Sequence, residues 1–241
     1  MGDTTITGDH AIVDRDQWIE ARLRHMQSEK ELTRRRDQLS QERRELPWLE
    51  ISADYVFDGP GGEQTLADLF AGRKQLLVYH FMYGPGWEEG CPSCSYWADN
   101  YDGITVHLEH RDTTLVAISR APLAELDAYK RRMGWNFKWL SSSGNDFNFD
   151  MAVSFTPEQV ESGDPNYNFG TQVFGDEEAP GMSVFTRTDD GRIFLTYQTF
   201  SRGLDMLNGA YHMLDLTPKG RDEDDLPWTM SWLHRHDAYP A

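Results

Sequence analysis

Two cysteines set three residues apart, in the run Gly90-Cys91-Pro92-Ser93-Cys94, are the residues of this chain best suited to chemistry. They are its only cysteines, and chance placement in a chain of this length would give that spacing on the order of one time in a hundred. The thiolate, not the thiol, attacks a disulfide, and a helix N-terminus lowers a cysteine pKa from its usual ~8.5 through its unpaired N–H groups and partial positive charge. A Gly-rich loop, Gly84 to Gly90, precedes the pair, so a helix is expected to begin near Cys91 with Cys94 one turn further on and on the same side. Cys91 is then the exposed, attacking thiol and Cys94 the shielded one that resolves a mixed disulfide. Pro92 suits the first helical position, where its missing N–H leaves nothing unpaired, and Pro92 and Ser93 are supporting or substrate-side candidates.

Other chemistries compete for the same residues. Inert buried cysteines are the plain alternative. The series Cys91, Cys94, His107, His110 approaches a zinc-finger spacing, but its last gap is one residue short and Ser95 to Val106 lacks the finger pattern. No metal and no cofactor is therefore expected. Glu88 and Glu89, just before the pair, would oppose the helix effect on the thiols. His80 lies close enough in sequence to exchange a proton with Cys94, or it is an ordinary hydrogen-bonded core histidine. Tyr83, Tyr79, Trp87 and Trp97 are supporting or substrate-side candidates.

The elements that must position these residues follow from periodicity. Residues 1 to 12 read as a frayed tail. Asp14 to Leu46 reads as a long polar helix with one apolar stripe, Trp18, Leu23, Met26, Leu32 and Leu39, ended by Pro47. Gln75 to Met82 and Thr114 to Ser119 are short apolar runs of the kind found in buried strands, and the helix between them makes a right-handed crossover joining parallel strands. That helix should carry Tyr96, Trp97 and Tyr101, with His107 and His110 on its later part. Pro122 to Met133 is a helix ended by Gly134, and Phe137 to Leu140 is extended. Ser141 to Gly181 is a long irregular insertion, a length that points to a functional segment or a lid. Met182 to Thr188 and Arg192 to Thr199 flank an Asp-Gly turn and form a hairpin. Leu204 to Leu214 is a final helix. The division is thus an arm over 1–47, an α/β domain over 48–216 with an insertion near 141–181, and an aromatic tail over 217–241 that packs back on the body. The expected fold is thioredoxin-like: three layers around a mixed central sheet, with the dithiol at the end of the first core strand.

Charge narrows the partners. Lys and Arg number 23 against 40 Asp and Glu, a net charge of −17, which repels phosphate backbones. Arg34-Arg35-Arg36 is the only short basic cluster and sits among acids on the long helix, so no nucleic-acid partner is expected. No run of about 18 apolar residues is present and no membrane partner is expected. Met1-Gly2 fits a myristoylation pattern only loosely, and the N-terminus has no secretory character, which makes the cytoplasm the default location. The long helix suggests a homodimer.

Several stretches carry a family resemblance: Glu29-Lys30-Glu31-Leu32-Thr33-Arg34, Tyr83-Gly84-Pro85-Gly86-Trp87, Gly90-Cys91-Pro92-Ser93-Cys94-Ser95, Arg132-Met133-Gly134-Trp135, Phe147-Asn148-Phe149-Asp150, Thr196-Tyr197 and Arg202-Gly203-Leu204-Asp205. With them the chain, from about Trp18 to Tyr239, resembles the uncharacterised bacterial thioredoxin-like family described as predicted dithiol–disulfide oxidoreductases. The resemblance implies a thioredoxin-like core, with Cys91 and Cys94 as the redox pair acting on a protein or small-molecule disulfide. Ordinary thioredoxin has a buried acid where Tyr79 stands and a cis proline facing the dithiol. Counting back from Gly191 puts that proline position near Ser183, about three residues from Pro180. Peroxiredoxin-like proteins also lack the proline, which leaves a thiol peroxidase acting on peroxide, with Arg120 or Arg202 beside Cys91, as one alternative. A binding module is another, its pocket lined by Trp87, Tyr96, Trp97, Trp135, Trp139, Phe147 and Phe149.

Overall fold

The computed structural model describes residues 10–164 and 166–240; the expected N-terminal tail falls mostly outside them. The first element, α1 (Arg15–Arg44), is closed at its start by a capping box in which the Asp14 carboxylate accepts from the Gln17 N–H and the Gln17 side chain accepts from the Asp14 N–H. None of its residues is buried, and Trp18, Leu23 and Leu32 of the apolar stripe are each more than half exposed. Its C-terminal end meets the body where Arg43 sits 4.7 Å over the Tyr197 ring.

Eight strands form one mixed sheet. They are β1 (Leu49–Ile51), β2 (Val56–Gly59), β3 (Gly62–Thr65), β4 (Gln75–His80), β5 (Thr113–Ser119), β6 (Lys138–Ser141), β7 (Gly181–Arg187) and β8 (Ile193–Phe200), in the order β1-β8-β7-β4-β5-β6-β2-β3. Strands β4, β5 and β6 run parallel, and β7 is antiparallel to β4 and to β8. The order β5-β4-β7-β8, with helices between the parallel strands and after the hairpin, is the thioredoxin-like core. Val78 and Val116 have no exposed surface, as continuous burial of a central parallel strand requires.

The helices are α2 (Leu66–Leu69), α3 (Pro92–Ala98), α4 (Thr105–Glu109), α5 (Leu123–Arg132), α6 (Phe147–Asp150), α7 (Pro157–Ser162) and α8 (Gly209–Leu214), the last preceded by a 3-10 turn over Ser201–Leu207. The side-chain alternation of β4 separates two cores. Tyr79 and Phe81 face α3, α5 and α8, in a cluster that holds Cys94, Trp97, Tyr129, Trp135, Trp139 and Tyr211. Leu76 and Val78 face the other way, against Leu66, Leu69, Phe147, Met151 and Phe155. In the first core Phe81 and Trp139 lie 4.6 Å apart between ring centroids; Tyr129 packs edge-on to both, and Trp135 edge-on to Phe81 and tilted against Trp139. Each such aromatic pair contributes about 1 kcal/mol beyond burial of its area.

Three expectations change. The crossover helix does not run through to His110. It stops at Ala98 because the next acidic residues serve the α5–β6 loop: Asp99 accepts from Trp135 Nε1 at 2.7 Å, and Asp102 accepts from the backbone N–H groups of Asn136 and Phe137. Gly103 then turns with φ 85°, and the chain re-enters as α4. The final helix is divided at Asn208, whose side chain accepts from the Tyr211 N–H and caps a second start. The first part of the 141–181 stretch is core, since Phe147, Met151, Val153 and Phe155 are buried on the face away from the dithiol, while Tyr167, Val173, Phe174 and Pro180 from its second part border the space beside the cysteines. No helix among the described residues is long and apolar enough to cross a membrane.

Candidate active site

Cys91 lies where β4 hands over to α3. Its N–H donates to Met82 O at 3.1 Å, which ties the start of the helix to the end of the strand. Gly90 must be glycine here, because a Cβ at that position would fall 2.7 Å from the Phe81 ring. Cys91 is the N-cap of α3: its Sγ accepts from the Cys94 N–H at 3.5 Å, and Pro92 occupies the first turn. Cys94 is buried, and its Sγ accepts from the Met82 N–H at 3.5 Å. Both cysteines are free thiols, Cys91 half-buried and Cys94 buried.

These environments split the two thiols. Cys91 is lowered from 9.0 to about 7, first by the hydrogen bond from Cys94, then by the backbone N–H groups of Cys94 and Ser93 and the positive charge of Arg235; burial opposes the shift. Cys94 is pushed well above 9.0, first by burial and then by the Cys91 sulfur beside it. One thiol is therefore ready to ionise near neutrality while the other holds its proton.

Arg235 was not singled out in the sequence, and no local signal marks it. It comes from the C-terminal tail and donates to Gly90 O at 2.7 and 3.2 Å and to Tyr129 Oη at 2.9 Å. Tyr129 Oη is 2.8 Å from Ser95 Oγ, which donates to Cys91 O. Arg235 also pairs with Glu89 at 2.6 Å, and Glu89 is shared with Arg132. The opposing charge expected from Glu89 is thus neutralised by two guanidinium groups, while Glu88 is exposed. Replacing Arg235 with Ala is predicted to move the alkaline midpoint of Cys91 alkylation by iodoacetamide upward and to slow the reaction several-fold at pH 7, with partial rescue by Arg235→Lys. A pH profile identical to wild type would rule the arginine out as a source of activation.

The other candidates separate. His80 points to the opposite face of the sheet from Cys94. Its Nε2 is 2.7 Å from Ser183 Oγ, its ring lies 5.7 Å from Phe147, and burial pushes its pKa down to about 3, so it is a neutral core residue and no proton carrier for the dithiol. Tyr79 faces the site and donates to Cys94 O at 3.3 Å. Tyr83 lies under the loop, donating to Glu88 O, and Trp87 is half-buried against the same core. Trp97 lines the cavity beside the thiols, with its Nε1 bonded to Leu204 O at 2.8 Å. Of the seven aromatic residues considered for a pocket it is the one among the lining residues; Trp135 and Trp139 are core, and Phe147 is on the far face. Pro180, not Ser183, stands opposite the dithiol. The β4–β7 register pairs His80 with Gly181, which puts Pro180 level with the end of β4, where the dithiol loop begins. Among the described residues no peptide bond is cis. Arg120 is committed to the buried Glu178 and stacks 4.4 Å over Phe149, and Arg202 is committed to Asp205. His107 and His110 lie on or beside α4, and no cluster of three or more potential metal ligands occurs among the described residues.

Cys91 and Cys94 open into a cavity of about 460 Å³ also bordered by Tyr79, Met82, Trp97, Pro180, Leu204 and Met230. The fold and site together define a thioredoxin-like protein with a dithiol at the start of its crossover helix. The chain belongs to the bacterial protein family of unknown function DUF899, whose model matches residues 7–239. A comparison with curated proteins finds no match. Among solved structures, peroxidoxin BcpB from Mycobacterium tuberculosis aligns with a TM-score of 0.46 at 12% identity, over 67% of this chain and 93% of that one. A mutant of peroxiredoxin Q from Xanthomonas campestris gives 0.45 at 14%, over 70% and 98%. A mutant of PrxQ from Xylella fastidiosa gives 0.44 at 14%, over 70% and 95%. Likenesses of this degree do not bear on activity.

Proposed function

We propose that this chain is a dithiol–disulfide oxidoreductase in which Cys91 attacks and Cys94 resolves. The observation that carries the reading is the split between two thiols one helical turn apart: a half-buried Cys91 lowered to about 7 and a buried Cys94 held protonated. The Cys91 thiolate attacks one sulfur of a substrate R–S–S–R′, forming Cys91–S–S–R and expelling R′–S⁻. That leaving thiolate takes up a proton as the Cys94 thiol gives one up. Cys94 then attacks the Cys91 sulfur, releases R–S⁻ and closes the Cys91–Cys94 disulfide. Two electrons pass from the protein to the substrate, and a thiol reductant returns them. The Met82 N–H, aimed at Cys94 Sγ, stabilises the negative charge that appears there during the second step.

Equilibration in glutathione redox buffers followed by intact-mass measurement is expected to show a loss of two mass units with no lasting glutathione adduct. The Cys91 alkylation rate should rise with pH through a midpoint near 7, since the thiolate fraction sets it. A pair that never forms the intramolecular disulfide would overturn the reading.

A further inference from the structure

The substrate class can be read from the cavity wall. Its four buried ring residues with a polar atom commit that atom to the protein. The Trp97 Nε1–H donates to Leu204 O, Tyr79 Oη to Cys94 O, and Tyr167 Oη to Pro180 O. Tyr211 Oη donates to the Glu223 carboxylate at 2.7 Å. The lining is therefore mostly carbon and ring surface around the two thiol sulfurs; the half-buried Ser93 and Ser201 add a hydroxyl each, and Gln172 and Thr229 stand at its exposed edge. The charged groups lie at the mouth and are already paired: Arg221 holds Asp205 and Asp215 and stacks 4.0 Å over the Tyr211 ring, and the exposed Arg202 also meets Asp205. Trp97 and Tyr211 meet edge-on, 5.7 Å apart at 83°, which presents an aromatic corner beside the sulfurs.

We propose that the disulfide reduced at Cys91 is a low-molecular-weight one with an apolar arm of aromatic size, held inside this cavity. The proposal rests on the dithiol reading above and names its substrate. A volume of about 460 Å³ falls within the range of sites for small organic ligands, roughly 300–1,000 Å³. A protein disulfide would instead present a run of backbone N–H and C=O groups to a wall made mostly of aromatic rings and carbon, and each group left without a partner there would cost about 1–3 kcal/mol. A charged tripeptide disulfide meets the same penalty. An aromatic arm loses nothing on entry and adds its edge or face to the Trp97–Tyr211 corner. The chemistry is the exchange written above, with the arm that stays on Cys91 seated in the cavity and the other thiolate leaving past the Arg202 mouth.

The test compares 2,2′-dipyridyl disulfide, oxidised glutathione and insulin as substrates of the full chain. Each rate is divided by that of free dithiothreitol on the same disulfide, which removes intrinsic reactivity. The dipyridyl compound is expected to show a normalised kcat/KM at least about 100-fold above insulin. Met230→Trp, which fills the cavity, should lower it about tenfold, and Met230→Leu should restore it. Separately, 2,2′-dipyridyl sulfide, the thioether with no bond to break, should quench Trp97 fluorescence on binding to Cys91→Ser, with a Trp97→Phe control to assign the signal. Insulin turned over as well as the dipyridyl compound, or Met230→Trp without effect, would overturn the substrate class and leave the dithiol reading standing. Binding of the thioether with no exchange on any disulfide would overturn the dithiol reading while supporting the cavity's ligand class.

Discussion

Cys91→Ser is expected to abolish disulfide reduction, while Cys94→Ser still attacks once and stays joined to its substrate. The serine hydroxyl ionises far too weakly to attack a disulfide, so the loss at Cys91 should reach at least about 10³-fold, down to the uncatalysed rate. Cys94→Ser removes only the second step. It keeps Cys91 at the helix cap, where the N–H groups of residues 93 and 94 still stabilise its thiolate, but loses the sulfur neighbour that lowers Cys91 most. Its first attack should therefore be somewhat slower than wild type at pH 7 and end in a stable mixed disulfide. Intact mass would show the protein plus one half of the substrate, released by dithiothreitol. Turnover by Cys94→Ser at the wild-type rate, with no adduct, would mean that the second thiol is dispensable.

Folding stability is expected to fall by about 3 kcal/mol between pH 4.5 and 7 through a single carboxyl, Glu178. This residue is 2% exposed, accepts from Ser154 Oγ at 2.7 Å and pairs with Arg120 at 2.8 Å. Burial raises its pKa from 4.5 to about 7, and Ser154 and Arg120 oppose the shift only in part. Below 4.5 the carboxyl is protonated in both the folded and unfolded chain and carries no penalty. Between 4.5 and 7 the unfolded chain gives up its proton while the native one keeps it, so the native state loses stability as pH rises. Above 7 both are ionised and the loss is complete. Glu178→Gln removes this slope, keeps an oxygen for Ser154 or Arg120, and should gain on wild type at pH 8 relative to pH 5. Urea unfolding of both proteins at the two pH values measures the difference, with all other titrations cancelling. Parallel stabilities would refute the assignment. The same group matters to the site because it sits two residues before Pro180, beneath the loop of Gly84, whose missing side chain leaves room for the Glu178 chain at 3.1 Å from an added Cβ.

Local pattern was enough for the elements and for the dithiol. Apolar runs marked β4 and β5, the Asp-Gly turn marked the β7–β8 hairpin, and the proline after Cys91 marked a helix start, because each depends on residues only a few positions apart. The same locality made the crossover helix read too long. Asp99 and Asp102 leave no trace in periodicity, and they end the helix by bonding to Trp135, Asn136 and Phe137, more than thirty residues away.

Side-chain direction and distant partners belonged to the tertiary structure. His80 is next to Tyr79 in the chain, yet strand alternation sends one to Ser183 and the other to Cys94, a consequence of which face of β4 meets α3. Pro180 reaches the dithiol through the β4–β7 register, which counting along the chain does not reveal. Arg235 is 145 residues beyond the Gly90 carbonyl it binds, so the charge that helps ionise Cys91 exists only once the tail has folded back. The sequence by itself determined that the two cysteines would share a helix start, since a thiol pair at that spacing is a local fact. Only the tertiary structure decided how their ionisation differs and what surrounds them, because burial, charge and cavity shape are sums over groups that the chain brings together from far apart.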